Sequence, residues 1–110
     1  MGALFVVQTN AVAGREDEFN DWYVNQHIPD VLALDGFSAA RRYLISEAQR
    51  SDAARQHPYR HLALYEMSGD PQAALDELGA AVANGMYLSP AMVPQRHSVV
   101  FEPTTEWIGR

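Results

Sequence analysis

The order of apolar segments along the chain most constrains what it can fold into. Between the candidate strands, apolar residues at helical spacing predict one helix from Gly14 to Pro29 and a second from Asp70 to Asn84. The polar segment 46–58 has no apolar stripe and predicts a loop with room for one helical turn. Short runs of β-branched and aromatic residues predict four strands, at residues 3–9, 37–45, 60–67 and 97–102.

The resulting order, β–α–β–β–α–β, is that of the ferredoxin-like α+β fold, in which a four-stranded antiparallel sheet carries both main helices on one face. We expect residues 1–110 to form a single domain of this kind. The strands carry apolar side chains on both faces, so the face without helices would expose an apolar surface. We therefore predict a homodimer in which two sheets pack face to face as a dimeric α+β barrel, with Trp107 of the C-terminal tail able to reach the partner.

The composition argues against several classes of function. The chain has 8 basic and 14 acidic residues and a net charge of −6, so we expect no nucleic-acid partner. It has no cysteine, which removes disulfides, thiolate metal sites and cysteine nucleophiles. No apolar stretch approaches the roughly 20 residues that span a bilayer, and the first apolar run has no basic flank. We expect no membrane partner and a cytoplasmic location, and the absence of phosphate-binding and hydrolase motifs predicts no cofactor.

Among the four histidines, His27 is the strongest candidate for chemistry. It follows Phe19 and Tyr23 on one face of the first predicted helix, just before the break expected at Pro29. The helix dipole favours its protonated form and burial opposes it, and this balance predicts a group that titrates near neutrality. Such a group suits general acid–base catalysis, and the alternative is a cation that caps the helix.

Two adjacent arginines in the second predicted strand, Arg41 and Arg42, need partners because an unpaired charge inside a strand is costly. Adjacent residues point to opposite faces, so one arginine shares a face with Tyr43 and the other with Leu44. Pairing with Glu66 on the third strand is the structural interpretation. The functional interpretation is that an arginine holds a substrate carboxylate or enolate through two parallel hydrogen bonds.

The third predicted strand places His61 and Tyr65 on one face, where they can line an apolar pocket. An edge histidine and an interface tyrosine are the alternative. His57 and His61 are four residues apart, but Pro58 between them argues against a helix, and a zinc site needs three or four ligands. We therefore expect no metal.

The stretch from Phe19 to Tyr43, F-x-x-W-Y-x-x-x-H-I-P-D-x-x-x-x-x-G-F-x-x-x-x-R-Y, resembles the EthD-like branch of the dimeric α+β barrel superfamily. Methylmuconolactone methylisomerase-like proteins belong to this branch, and polyketide cyclases and cofactor-free anthrone monooxygenases are broader relatives. The resemblance implies a homodimer with a pocket in each subunit between the sheet and the helix that carries the histidine. It also implies that His27 and Tyr43 line the active site, together with a second histidine that matches His57 or His61. The methylisomerases have a cysteine on the third strand that this chain lacks.

The sequence thus predicts a cofactor-independent isomerase, lyase or cyclase that transfers protons on a small cyclic or aromatic substrate. In this hypothesis His27 is the general acid–base, and Tyr43 orients the substrate or stabilises an oxyanion. The expected catalytic residues are His27, Tyr43 and His61. The expected substrate-binding residues are Trp22, Tyr23, Arg42 and Tyr65. Two alternatives stay open: a cofactor-free monooxygenase of anthrone-like phenols, and a small-molecule binding protein without chemistry.

Overall fold

The computed structural model describes residues 2–110 and shows an α+β architecture built on one antiparallel sheet. The strand order in the sheet is β2-β3-β1-β4, and helices pack on one face. This arrangement is compatible with the predicted ferredoxin-like fold. The strands are β1 Leu4–Thr9, β2 Phe37–Leu44, β3 His61–Met67 and β4 His97–Phe101.

Helices form where the sequence offers helical spacing and end signals. In α4, Pro71–Ala83, the Asp70 side chain accepts a hydrogen bond of 3.0 Å from the Ala73 N–H, and Pro71 occupies the first helical position. The loop after β2 contains the single helical turn α3, which Ser51 caps through the Ala54 N–H. The helical segments are α1 Glu16–Trp22, a π-helical segment Tyr23–His27, α2 Ile28–Leu32, α3 Asp52–Arg55 and α4 Pro71–Ala83.

The prediction that Pro29 ends the first helix is wrong. The Ile28 N–H donates to the Tyr23 carbonyl five residues back, which is the hydrogen bond of a π-helical turn, and the backbone stays helical to Leu32. Pro29 is the second residue of α2, and its missing N–H removes one helical hydrogen bond without ending the run. His27 therefore lies inside a continuous helical run and not at a helix C-terminus. Single π-helical turns occur frequently at functional sites.

A β-bulge in β2 sets which side chains face the helices. The register with β3 shifts between Phe37 and Ala39, so Phe37 and Arg42 come to share the covered face of the sheet. Arg41 and Tyr43 point to the opposite face. Strict alternation predicts Phe37 on the same face as Arg41 and Tyr43, and the bulge is the reason that this prediction is wrong.

The covered face of the sheet holds the core, and the opposite face exposes apolar side chains. We call this second surface the open face. On it Leu4, Val6 and Leu64 are only half-buried, and Phe101 is 58% exposed. Beyond β4 the tail leaves Trp107 fully exposed. The expected apolar open face is therefore present. No helix within residues 2–110 is long and apolar enough to cross a membrane.

Candidate functional site

A cavity of about 170 Å³ lies between the covered face of the sheet, the helices and the connector that precedes β4. Its wall is mostly apolar, and within the described part of the chain no Asp or Glu lines it. An apolar cavity of about 150 Å³ holds benzene in a well-studied case, so this one suits a molecule built on a single ring. The polar residues that line the cavity are Thr9, Tyr23, His27, Tyr65, Arg96 and Ser98.

Three buried polar atoms in the wall of the cavity have no hydrogen-bond partner within residues 2–110: Thr9 Oγ1, His27 Nδ1 and the Tyr65 hydroxyl oxygen. A fourth such atom, Trp22 Nε1, belongs to the indole that stacks on His27 with ring centroids 4.6 Å apart. An unpaired buried polar group costs about 1–3 kcal/mol, so such groups are few and need an explanation. Their concentration at one cavity indicates a site that offers hydrogen bonds to a bound molecule.

Aromatic packing fixes the position of His27 and burial sets its charge. Its ring lies between Trp22 and Tyr23, whose ring meets it edge-on with centroids 5.1 Å apart. The pKa of His27 is lowered to about 4, chiefly by burial; Asp30 opposes this, and Arg96 adds a smaller lowering. His27 is therefore a neutral imidazole at neutral pH. The expected titration near neutrality is wrong, because burial dominates and no free helix C-terminus lies beside the ring.

Two buried tyrosines supply phenol groups that stay protonated. Burial raises the pKa of Tyr65, the neighbouring Tyr23 raises it further, and Arg42 only partly offsets this. Burial likewise raises the pKa of Tyr23. Phe5 and Phe37 pack against Tyr65 with ring centroids 5.9 Å and 6.0 Å away. The Tyr65 hydroxyl, which interacts with the Tyr23 side chain, is thus a protonated group that can turn to donate a hydrogen bond to a negative oxygen in the cavity.

Arg42 lies behind the cavity and does not line it. Its guanidinium sits 4.7 Å from the centroid of the Tyr23 ring, and its Nη2 donates a hydrogen bond of 2.9 Å to Asn20 Oδ1. The same nitrogen is 3.4 Å from His61 Nδ1, which must accept because a guanidinium only donates. Within residues 2–110 neither arginine pairs with Glu66: Glu66 lies on the open face, away from Arg42, and forms no ion pair with Arg41 on that same face. Arg42 instead packs on the Tyr23 ring through a cation–π contact.

The two candidates for a second histidine lie away from the cavity that His27 lines. The His61 ring packs on Phe19 with centroids 4.8 Å apart, and burial and Arg42 lower its pKa. His57 is exposed on the loop before β3, where its Nε2 lies 2.6 Å from Gln8 Oε1. The structure thus brings His27, Trp22, Tyr23 and Tyr65 together and leaves His57 and His61 outside.

Tyr43 lies on the open face of the sheet, across the strands from His27. Its side chain is 43% exposed, and the Arg41 guanidinium sits 5.5 Å from its ring centroid. Tyr43 and His27 therefore do not contact the same small molecule within one chain. The alternation of side chains after the bulge in β2 is the physical cause.

Three polar lining residues were not predicted from the sequence. The alternation of side chains could have identified two of them, because Thr9 lies on the same buried face as Val7, and Ser98 pairs with Val7 in the sheet. Arg96 ends a connector that the sequence leaves unplaced. Long-range backbone hydrogen bonds position that connector, including one of 2.7 Å from the Val12 N–H to the Ala91 carbonyl.

No family model, no curated protein and no solved structure matches this chain. The resemblance of residues 19–43 to the EthD-like branch stays a prediction. Within residues 2–110, no group of three or more His, Asp or Glu side chains is arranged to hold a metal ion.

Proposed function

We propose that this chain is a cofactor-independent enzyme that transfers protons on a small cyclic or aromatic substrate, as an isomerase, lyase or cyclase. The observation that carries the proposal is a buried, neutral His27 whose unpartnered Nδ1 belongs to the wall of an apolar cavity. Tyr65, a permanent phenol donor, lines the same cavity. A base and an oxyanion donor around a space of single-ring size are the minimum needed to form and hold an enolate.

The proposed reaction begins when His27 Nδ1 takes a proton from a carbon next to a substrate carbonyl. The electron pair of that C–H bond moves into the carbonyl group and gives an enolate, whose oxygen accepts a hydrogen bond from the Tyr65 hydroxyl. The imidazolium then returns the proton to a different carbon, or to a leaving group, so that no external reactant is consumed. Trp22 and Tyr23 act as positioning residues that hold the imidazole ring.

Two other functions share this cavity and differ in a measurable way. A cofactor-free monooxygenase would form the same carbanion and pass it to molecular oxygen. A binding protein without chemistry would be favoured by a His27 fixed against a carboxylate, but His27 Nδ1 has no hydrogen-bond partner among the described residues. The free nitrogen therefore favours an enzyme.

The experiment is hydrogen–deuterium exchange at carbon, followed by ¹H NMR in D₂O. The probes are an unsaturated γ-lactone, a cyclic enone, a cyclic 1,3-diketone and anthrone. We expect the wild-type protein to accelerate exchange of at least one probe and His27→Gln to lose about 10²–10⁴-fold of that rate. His97→Gln, which changes an exposed histidine at the start of β4, is the control and should keep the rate.

Three outcomes decide between the candidates. Full activity in a folded His27→Gln variant, or no exchange of any probe by the wild-type protein, contradicts the proposal. Oxygen uptake that matches the loss of anthrone identifies the monooxygenase instead.

We also propose a homodimer formed through the open face, in the cytoplasm. Support comes from the apolar side chains that this face leaves in solvent, including Phe101, and from the fully exposed Trp107. Light scattering should give twice the chain mass of 12.2 kDa. Val6→Lys at the centre of the open face should give the monomer, whereas Val24→Lys on the helical side should remain dimeric. A monomeric wild-type protein would contradict this part of the proposal.

A further inference from the structure

We infer that Arg96 makes this cavity an anion site, so that its ligand is a single-ring carboxylate or a molecule of the same size and charge. The inference rests on the proposed function, because it assigns a substrate class to the same cavity. Its support is the place of Arg96 in the cavity wall, the unpaired N–H groups of its guanidinium and the absence of other charged residues around the cavity within residues 2–110.

The charge around the cavity is opposite in sign to that of the chain. Arg96 is the only Lys, Arg, Asp or Glu that lines the cavity within residues 2–110, whereas the whole chain has a net charge of −6. A surface with that net charge repels anions at long range. A single cation beside an apolar cavity therefore selects for an anionic group at that point.

Arg96 has its hydrogen-bond donors free. Arg15 pairs with Glu18, and Arg55 pairs with Asp52, but Arg96 forms no ion pair or side-chain hydrogen bond within the described part of the chain. A guanidinium carries five N–H donors in a planar fork that matches both oxygens of a carboxylate. The guanidinium of Arg96 also acts on the site itself, because it lowers the pKa values of His27 and Tyr23.

Exposure gives the orientation of the ligand. Arg96 and Ser98 are exposed and mark the open side of the cavity, whereas Tyr65 is 1% exposed and lies on its closed side. A carboxylate on Arg96 therefore points its ring inward. The inner wall against which the ring would pack is apolar and includes Val31, Leu78, Leu88 and Met92.

The anion also has a chemical consequence for the base. Arg96 disfavours the imidazolium form of His27. A bound carboxylate that pairs with Arg96 removes this effect and adds a negative charge, so the pKa of His27 rises in the complex. His27 therefore becomes a stronger base when the correct ligand is present.

The test uses benzoate and its neutral isostere benzamide as probes, titrated into ¹⁵N-labelled protein. The amide signals of Thr9, Val31 and Ser98 report on the cavity. We expect benzoate to bind at least about ten-fold more tightly than benzamide, since a charge-assisted pair of hydrogen bonds is lost with the neutral probe. Arg96→Gln should remove most of that preference, and Arg50→Gln, which changes an exposed arginine of the loop after β2, should keep it.

The inference is overturned if benzoate and benzamide bind equally, if neither binds, or if Arg96→Gln keeps the preference for benzoate. Benzoate presents no acidic C–H bond, so this experiment measures charge recognition without proton transfer. Charge-dependent binding of benzoate together with no deuterium exchange of a cyclic enone that carries a carboxylate would refute only the proposed function. Exchange of neutral probes without any preference for benzoate would refute only the anion site.

Discussion

The burial of His27 in its neutral form makes the stability of the protein depend on pH. The pKa of His27 is about 4 in the folded chain, whereas the ordinary value of 6.5 applies in the unfolded chain. The unfolded state therefore takes up a proton at a higher pH than the folded state does. This contribution to the free energy of unfolding is complete above about pH 6.5 and is lost as the pH falls toward about 4.

The size of the effect follows from the difference between the two pKa values. Each pKa unit corresponds to about 1.36 kcal/mol, so the loss is about 2 kcal/mol at about pH 5 and about 3 kcal/mol at about pH 4. A domain has a total stability of about 5–15 kcal/mol, so the loss is a substantial fraction. The lowered pKa of His61 acts in the same direction.

The assay is urea unfolding of the wild-type protein and His27→Gln at several pH values and one protein concentration. Between about pH 7.5 and about pH 5, the wild-type protein should lose about 2 kcal/mol more than the variant, whatever the two absolute stabilities are. His97→Gln should follow the wild-type curve. Parallel curves for the wild-type protein and His27→Gln would refute the assignment of His27 as a buried neutral base.

Three further predictions concern packing and are checked by urea unfolding at neutral pH. Gly36→Ala should cost about 3 kcal/mol or more, because φ is +94° and the new Cβ would lie 2.5 Å from Ala74 Cβ. Gly14→Ala, at a φ of +84° with open space around it, should cost only about 1 kcal/mol, and equal losses would refute the role of the close contact. Thr9→Val should leave stability unchanged or raise it, because the Thr9 hydroxyl has no partner, and a loss above about 1 kcal/mol would contradict this. Asp70→Ala should cost about 1 kcal/mol through loss of the helix cap, and an unchanged midpoint would contradict the capping role.

The elements of the fold were predictable because their signals are local. Each predicted strand agrees with the observed one to within one residue at either end. Asp70 and Pro71 mark the start of α4 by chemistry that acts within one helical turn. The polar segment after β2 contains the one helical turn for which the prediction left room.

The two errors in the fold have a common physical origin. The π-helical turn before Pro29 and the bulge after Phe37 each add one residue to a regular element. Neither change can be read from the spacing of apolar residues along the sequence, because each one depends on packing against the sheet or the neighbouring strand. One added residue in β2 is enough to put Phe37 and Tyr43 on opposite faces of the sheet, and one added residue before Pro29 leaves His27 inside a helical run.

The candidate site was predictable where it lies on one element. Trp22, Tyr23 and His27 follow one another on a single helix face, and alternation along β3 suggests Tyr65. Arg96 was not predictable, because backbone hydrogen bonds between distant segments place the connector that carries it. The charge that selects the ligand thus depends on tertiary structure, whereas the base and the phenol depend on local patterns.

The pH dependence of carbon exchange at low substrate concentration tests whether His27 is the base, because it reports the ionisation of the free enzyme. If His27 is the base with a pKa of about 4, kcat/KM for exchange in wild-type protein stays constant to within about two-fold between about pH 7.5 and about pH 5. A base with the ordinary histidine pKa would instead lose about 30-fold over the same interval. A flat profile that His27→Gln abolishes is the predicted result, and a 30-fold fall, or a flat profile that survives in His27→Gln, would contradict the account.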